Sequence, residues 1–230
     1  RNKSVEDAGL FDCVQSTANL QPITVANEIN NKTVVRFSGD NTLRQALNFS
    51  GSSNRRAPAG SDGSITSFIV GKYNTNPTGY HHWFGYSHAN GPLHNESNSV
   101  WVWYDRNTTG GGTWGLYADD GWGLEYSAMN TTASIFSVAI DSSNHQIYHT
   151  GTLGTDISDG ETYLTGEPFY PSSNAYIYGA VGGVLEGSYF YGAKADIAEI
   201  ICFSRKLTAA ERTTVETYLQ NKWGITVATQ

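Results

Sequence analysis

Between residues 80 and 126 the chain mixes flat aromatic side chains with acids, amides and imidazoles in unusual density. Tyr80, His82, Trp83, Tyr86, Trp101, Trp103, Tyr104, Trp114, Tyr117, Trp122 and Tyr126 are interleaved with His88, Asn90, Asp105, Asn107, Asp119 and Asp120. The chemistry that suits such a mixture is recognition of a sugar, whose C–H face stacks on an aromatic platform while its hydroxyls bond to carboxylates, amides and imidazoles.

Within VWVWY, Trp101 and Trp103 fall on one face of an extended chain, and Val100, Val102 and Tyr104 on the other. An aliphatic core face turns the two tryptophans outward as a strip. The opposite arrangement buries them and covers the valine face with a loop. The sequence leaves both open. Trp122, between Gly121 and Gly123 and close to Asp119 and Asp120, is predicted to sit in a Gly-rich turn and is the first choice for a platform. Trp103, Trp101 and Trp114 follow, with His82, Asp119 and Asp120 as polar partners. The adjacent acids are either solvated turn residues or hydroxyl acceptors, and calcium is the one cofactor they suit, since it takes hard oxygen ligands from flexible loops. His81, His82, His88 and His94 cluster in sequence with a spacing that matches no zinc-ligand pattern.

Catalysis asks for more. A retaining glycosidase needs two carboxylates roughly 5 Å apart, which on one strand means alternate positions facing one cleft. The nearest acids, Asp119, Asp120 and Glu125, are spaced wrongly for that. Neither a G-x-S-x-G nucleophile elbow nor a His-Glu-x-x-His metal motif occurs. The expectation is a protein that is not an enzyme.

Strands must position these residues. Apolar stretches bounded by Gly, Asn, Asp and Pro recur along most of the chain: 33–39, 64–73, 81–87, 99–105, 113–118, 134–141, 145–151, 175–181 and 195–203. In SIFSVAID the side chains of Phe136, Val138 and Ile140 share one face opposite Ser137 and Asp141, which predicts a strand covering a core on one side. ADIAEIICF is apolar on both faces, so it belongs near the centre, between the other sheet and a helix. Residues 141–144 read as a hairpin turn. TNPTG (75–79) and TTGGG (108–112) read as turns too. Thr208 and Glu211 form a T-x-x-E capping box, and Val215, Leu219 and Trp223 repeat at i, i+4, i+8 with Tyr218 beside them. That pattern predicts a helix over about 209–222 that stops at Gly224 and buries Trp223. The fold class expected is all-β: an antiparallel two-sheet jelly-roll β-sandwich with one short C-terminal α-helix, forming a single domain over residues 1–230.

Composition narrows the partners. The chain is 39% hydrophobic and only 15% charged, with 25 Gly, 14 Tyr and 6 Trp, which suits short strands and many turns. A formal net charge of −7 argues against nucleic acid, whose phosphates need clustered Lys and Arg. No apolar run approaches the roughly 18 residues of a membrane span, so membrane insertion is not expected, and RNKSVEDAG lacks the apolar core of a signal peptide. Cys13 and Cys202 either pair across terminal strands or stay as two buried thiols. Asn-x-Ser/Thr sequons at Asn2, Asn31, Asn48, Asn95, Asn107 and Asn130 are compatible with secretion.

ADIAEIICFSRKLTAAERTTVETYLQNKWGI resembles the closing segment of LamG-like domains in the concanavalin A-like lectin/glucanase superfamily, where a central strand leads into a capped helix ending in Trp-Gly or Tyr-Gly. QPITVANEINNKTVVRFSGDNTL, SIFSVAIDSSNHQIYHTG and the pair AYIYGAV and YFYGAKADIAEI resemble earlier family segments in the same order. The resemblance implies a jelly-roll scaffold, which in that superfamily hosts lectins, binding modules, adhesion domains, glucanases and lyases. The glucanases' Glu-x-Asp-x-x-Glu strand does not occur here, and the lyases' signature strings are not recognisable. The family also has a strand before the segment that residues 1–4 resemble. The resemblance therefore implies that this strand is replaced, or that the chain is a processed fragment of a longer protein.

Three functions follow, in order. The first is a noncatalytic carbohydrate-binding or adhesion domain, partnered by a glycan or polysaccharide, in a larger extracellular, cell-surface or virion-surface protein. The second is an assembly module, such as a capsid-decorating or spike domain, whose aromatic strip packs on protein neighbours. A glycoside hydrolase or polysaccharide lyase comes third.

Overall fold

The computed structural model describes residues 13–14, 17–39, 47–49, 64–74, 79–88, 101–108, 111–118, 121–126, 131–141, 145–153, 177–186 and 189–227. Among these residues sixteen strands, one 3-10 turn at Ala18–Leu20 and a C-terminal helix follow one another. The strands are β1 (Cys13–Val14), β2 (Ile23–Ile29), β3 (Lys32–Arg36), β4 (Leu47–Phe49), β5 (Ile65–Tyr73), β6 (Gly79–His88), β7 (Trp101–Thr108) and β8 (Gly111–Ala118). After them come β9 (Gly121–Tyr126), β10 (Ser134–Ile140), β11 (His145–His149), β12 (Thr152–Leu153), β13 (Ile177–Val181), β14 (Gly183–Glu186), β15 (Tyr189–Gly192) and β16 (Ala195–Phe203). The helix, α1, spans Ala209–Trp223.

Two sheets form a sandwich. The first runs β1-β4-β13-β6-β7-β8-β9, with the β14–β15 hairpin attached to β6, and the second runs β12-β11-β10-β5-β16-β3-β2. Pairing is antiparallel except for one parallel contact of β15 with β6 at Gly192 and His82. The expected all-β sandwich with its single terminal helix is therefore the architecture observed.

Strand alternation explains the layers. On β5, Ile65, Ile69 and Tyr73 enter the core between the sheets, while Phe68 and Val70 enter a second core under α1. β10 does the same, with Phe136, Val138 and Ile140 inward and Ile135 toward the helix. Every residue of β10 is buried, Ser137 included, so this strand covers a core on both sides and not on one. The reason is α1, which crosses the second face. β16 lies between β5 and β3 and keeps its two-faced character through a bulge between Ile197 and Glu199. The bulge shifts the alternation by one residue, so Ala195 and Ile197 before it and Ile200 and Cys202 after it all pack on the inter-sheet core.

Glycine is required where the layers come closest. A Cβ on Gly71 of β5 would stand 2.6 Å from the Trp83 ring and 2.6 Å from the Asp196 carbonyl. Gly182, between β13 and β14, has φ +87°, and a Cβ there would run into the Phe37 ring.

The helix has the predicted ends. The Glu211 N–H donates to Thr208 Oγ1 at 3.3 Å, and the Thr208 N–H donates to Glu211 Oε2 at 2.9 Å. Gly224 caps the other end in a left-handed conformation, φ 65°. Trp223 is buried as expected, and its Nε1 donates to Glu199 Oε2 at 2.6 Å. Tyr218 departs from the expected stripe and is 47% exposed. Its place on the buried face belongs to Arg212 and Glu216, both 2% exposed and joined Nη1 to Oε1 at 2.6 Å. Cys202 carries a free thiol, and burial pushes that thiol up to about 12.

Candidate functional site

The expected site residues converge on the outer strands of the first sheet. β6, β7, β8 and β9 are four consecutive neighbours, and Trp101, Trp103, Trp114 and Trp122 lie on the last three. β9 also comes beside β11, an outer strand of the second sheet, so the first sheet curls over the sandwich at this end. Asp119 and Asp120, in the connection from β8 to β9, lie outside the described residues, as do His94, residues 75–78 of TNPTG and residues 109–110 of TTGGG, whose Thr108, Gly111 and Gly112 are strand residues.

Trp122 is not in a turn. It is the second residue of β9, registered opposite Tyr117. The flanking glycines suggested a turn, but Gly121 and Gly123 are strand residues.

Register sorts the four tryptophans into two sets. Val181, Phe84, Trp103 and Leu116 form one row across β13, β6, β7 and β8. The next row holds Ala180, Gly85, Val102, Tyr117 and, on β9, Trp122. Trp101 is paired with Ala118 and Trp114 with Asp105, so both stand at the parity of Trp103. Adjacent rows serve opposite faces of a sheet. Phe84 and Val181, in the row of Trp103, belong to the core between the sheets. Trp122 and Tyr117 are in the alternate row. Trp122 thus stands at the opposite parity to Trp101, Trp103 and Trp114 in the register of the sheet.

His82 is also an interior residue. It is 4% exposed, next to the β15 contact, and its neighbours His81, Trp83 and Phe84 are buried as well. A bulge between His82 and Phe84 gives β6 an extra residue here, which lets Trp83 and Phe84 both enter the inter-sheet core. Trp83 stacks edge-on against Tyr73, with ring centroids 4.8 Å apart, and against Phe136 at 6.1 Å. Burial at 4% removes His82 from the surface where a sugar hydroxyl could meet it. What the sequence did not show is the pairing of Tyr117 with Trp122 across β8 and β9, and of Glu125 with Gly115. Alternation within TWGLYA and GWGLEY was the available signal, and the bulge between Gly115 and Tyr117 obscures it.

Polar chemistry is concentrated elsewhere. Arg212 and Glu216 lie between α1 and the second sheet, with the guanidinium 3.7 Å from the centroid of the Tyr148 ring and Ser137 Oγ donating to Glu216 Oε1 at 3.3 Å. Burial raises the Glu216 carboxyl above its ordinary range against the pull of Arg212. His149, stacked on Phe136 with centroids 5.0 Å apart, is lowered by burial to about 4 and is neutral at physiological pH. Between β3 and β16, Arg36 binds Asp196 in a bidentate pair, 2.7 Å for each bond, and also reaches Glu28. Among the described residues no cluster of three or more His, Cys, Asp or Glu could hold a metal ion, and no helix is long and apolar enough to cross a membrane.

No protein-family pattern matches the chain, and no curated protein matches its sequence. Solved structures do match its shape. The enzymatically active domain of bacteriophage CBA120 tailspike protein 2 superposes with a TM-score of 0.57 at 12% identity, over 94% of this chain and 31% of that one. A Trypanosoma rangeli sialidase solved with 2,3-difluoro-KDN gives 0.51 at 10% identity, over 83% of this chain and 27% of that one. The CBM40 of a Ruminococcus gnavus IT-sialidase gives 0.49 at 14% identity, over 69% of this chain and 84% of that one. The chain thus spans less than a third of the tailspike and sialidase chains, and the similarity is one of fold.

Proposed function

We propose that this protein is a noncatalytic carbohydrate-binding domain built on a LamG-like form of the jelly roll, and that it serves as a module of a larger extracellular or virion-surface protein. One observation carries the reading: four of the six tryptophans stand on three adjacent strands at one end of one sheet. Tryptophan offers a large rigid face with one polar N–H, which is the surface a sugar ring needs. The platform is the row of Trp122 and Tyr117, with Glu125 and the Asp119–Asp120 connection as hydroxyl partners. Trp101, Trp103 and Trp114, at the other parity, support that platform from beneath.

What supports the LamG-like form is the central strand β16 leading into a capped helix that ends at Trp223 and Gly224. The sandwich shape shared over 94% of the chain with part of a tailspike, and over 83% with part of a sialidase, is compatible with such a module. Binding is proposed to need no metal.

A glycan array tests the reading. The full chain should select a restricted set of glycans and keep them in EDTA. Trp122→Ala should weaken binding about 10-fold with the fold intact by circular dichroism, since an aromatic stack is worth about 0.5–1.5 kcal/mol beyond the area it buries. An array with no bound glycan, or new reducing ends or unsaturated sugars on incubation with mixed polysaccharides, would overturn it.

A further inference from the structure

Arg106 is the one Lys or Arg on the strands of the first sheet, and cross-strand register fixes the face it belongs to. On β7 it stands between Tyr80 of β6 and Thr113 of β8, two residues from Tyr104 and four from Val102. Val102, Tyr117 and Trp122 form the row described above, so Arg106 shares their face. Asp105, registered with His81 and Trp114, stands on the other one. The common face of Arg106 and Trp122 is opposite in parity to Phe84 and Val181, which pack between the sheets.

Gly115 occupies the centre of this part of the face. Tyr104 and Glu125 are its partners on the flanking strands, and Thr113 and Tyr117 lie two residues away along β8. Arg106 and Trp122 take opposite corners, each diagonal to Gly115. The irregularity between β8 and β9 makes this possible. Between Trp122 and Glu125, β9 carries one residue more than β8, so two positions three apart in sequence share one face. Direct cross-strand neighbours are about 5 Å apart and diagonal ones about 7–8 Å. Strand spacing and rise therefore put the Cα atoms of Arg106 and Trp122 about 16 Å apart, with a residue that has no side chain between them. On the β6 side, His82 in the row of Tyr104 is 4% exposed, so the face is covered there.

We infer that the glycan bound at the Trp122 row carries an anionic group, a carboxylate or a sulfate, and that Arg106 receives it across the Gly115 position. The inference rests on the proposed carbohydrate-binding reading. Elsewhere in the fold, cations stand beside acids: Arg36 and Lys72 with Glu28, Lys206 with Asp141, Arg212 with Glu216 and Lys222 with Glu199. The register partners of Arg106 are instead a tyrosine and a threonine. Glu125, on the same face, is two strands away and about 12 Å off between Cα atoms. A planar guanidinium takes an oxyanion through two parallel N–H bonds and replaces the hydration that group loses on binding. Glu125 suits the sugar's hydroxyls, which donate to carboxylates, and Trp122 suits its ring face. With a formal net charge of −7 the chain has no general attraction for anions, so a preference for an acidic sugar has to be local.

The test is calorimetric binding of the full chain to pairs of oligosaccharides that differ in charge. Trigalacturonate is compared with its carboxyl-reduced form, sialyllactose with its methyl ester, and sulfated with unsulfated galactose oligomers, so the pairs also separate carboxylate from sulfate. At least one acidic member should bind about 10-fold or more tighter than its uncharged partner, because hydrogen bonds to charged groups are the strong ones. Arg106→Gln should abolish that difference with the fold intact by circular dichroism, and Trp122→Ala should weaken both members of the pair. Equal or tighter binding of the uncharged member in every pair overturns the inference and leaves the glycan-binding reading standing, and this outcome needs only the unsubstituted chain. A preference for the acidic member that survives Arg106→Gln does the same. Failure to bind any of these oligosaccharides or any array glycan overturns both.

Discussion

The second sheet and the outer end of the first are built by different rules. β5, β10 and β16 are covered on both sides, by the first sheet and by α1, and polar groups buried there are paired across elements: Arg212 with Glu216, Ser137 with Glu216, Asp196 with Arg36. β7, β8 and β9 carry tryptophan and tyrosine at alternating parities with one basic residue among them. A sheet whose two faces are both buried has every position committed to packing. A sheet end that curls past the core can spend one parity on packing and the other on a ligand. The predictions below try to break that division, beginning with the largest effects.

If the Trp103 row belongs to the interior, Trp103→Ala should cost about 3–5 kcal/mol of stability, the usual range for removing a buried large aromatic. Trp122→Ala should cost less than about 1 kcal/mol, as surface positions do. Urea denaturation midpoints read both. Equal losses at the two positions would erase the distinction between the rows. Arg212→Ala should be as damaging as Trp103→Ala, about 3–5 kcal/mol, because it leaves the Glu216 carboxylate buried without its cation. That loss should shrink as pH falls, because burial raises the Glu216 carboxyl above its ordinary range and its protonation removes the uncompensated charge. The double variant Arg212→Met with Glu216→Leu should recover most of the stability, since an apolar pair of similar volume avoids both desolvation costs.

Acid should weaken the sandwich through His149. Its folded-state value is depressed to about 4 from 6.5, so the fold favours the neutral ring. That contribution is complete above about 6.5 and is lost as pH falls through about 4. A proton titration of the imidazole signals by NMR should show His149 still neutral at about pH 5. A midpoint near 6.5 would place the ring in water.

Much of the scaffold was legible because it follows simple periods. Phe136, Val138 and Ile140 read as one face, ADIAEIICF as a two-faced strand, and Thr208, Glu211 and Gly224 as the ends of a helix, and each is so in the structure. The second face of β10 was not legible. Ser137 looks like a solvent position until Glu216, 79 residues later, reaches it from α1. Arg212 and Glu216 were passed over for the same reason, since charged residues are rarely buried unless paired and the pair is visible only in three dimensions. At the candidate site, the aromatic density was legible and the division into rows was not. Parity along a strand resets at each bulge, and those at Trp83 and between Gly115 and Tyr117 are set by cross-strand hydrogen bonding. Nothing in GWGLEY distinguishes a Gly-rich turn from a strand that begins at Gly121.

The smallest effect isolates the helix from the site. Thr208→Ala removes the side chain that accepts the Glu211 N–H, and loss of such a cap costs about 1 kcal/mol. The pH dependence of this end should have the same sign as that of His149 and fall in a lower range. Hydrogen bonds from Arg205 first, and then from Thr208, hold the Glu211 carboxyl at about 2, below its ordinary 4.5. A depressed carboxylate contributes fully above the unfolded value and loses its contribution as pH falls through the folded one. The advantage of the intact capping box should therefore persist at neutral pH and fade between about 4.5 and about 2. Because α1 packs on the second sheet, Thr208→Ala should leave glycan affinity unchanged while lowering the urea midpoint. A loss of affinity in this variant would mean that the two regions are coupled, and that the sheet end depends on the helix for its shape.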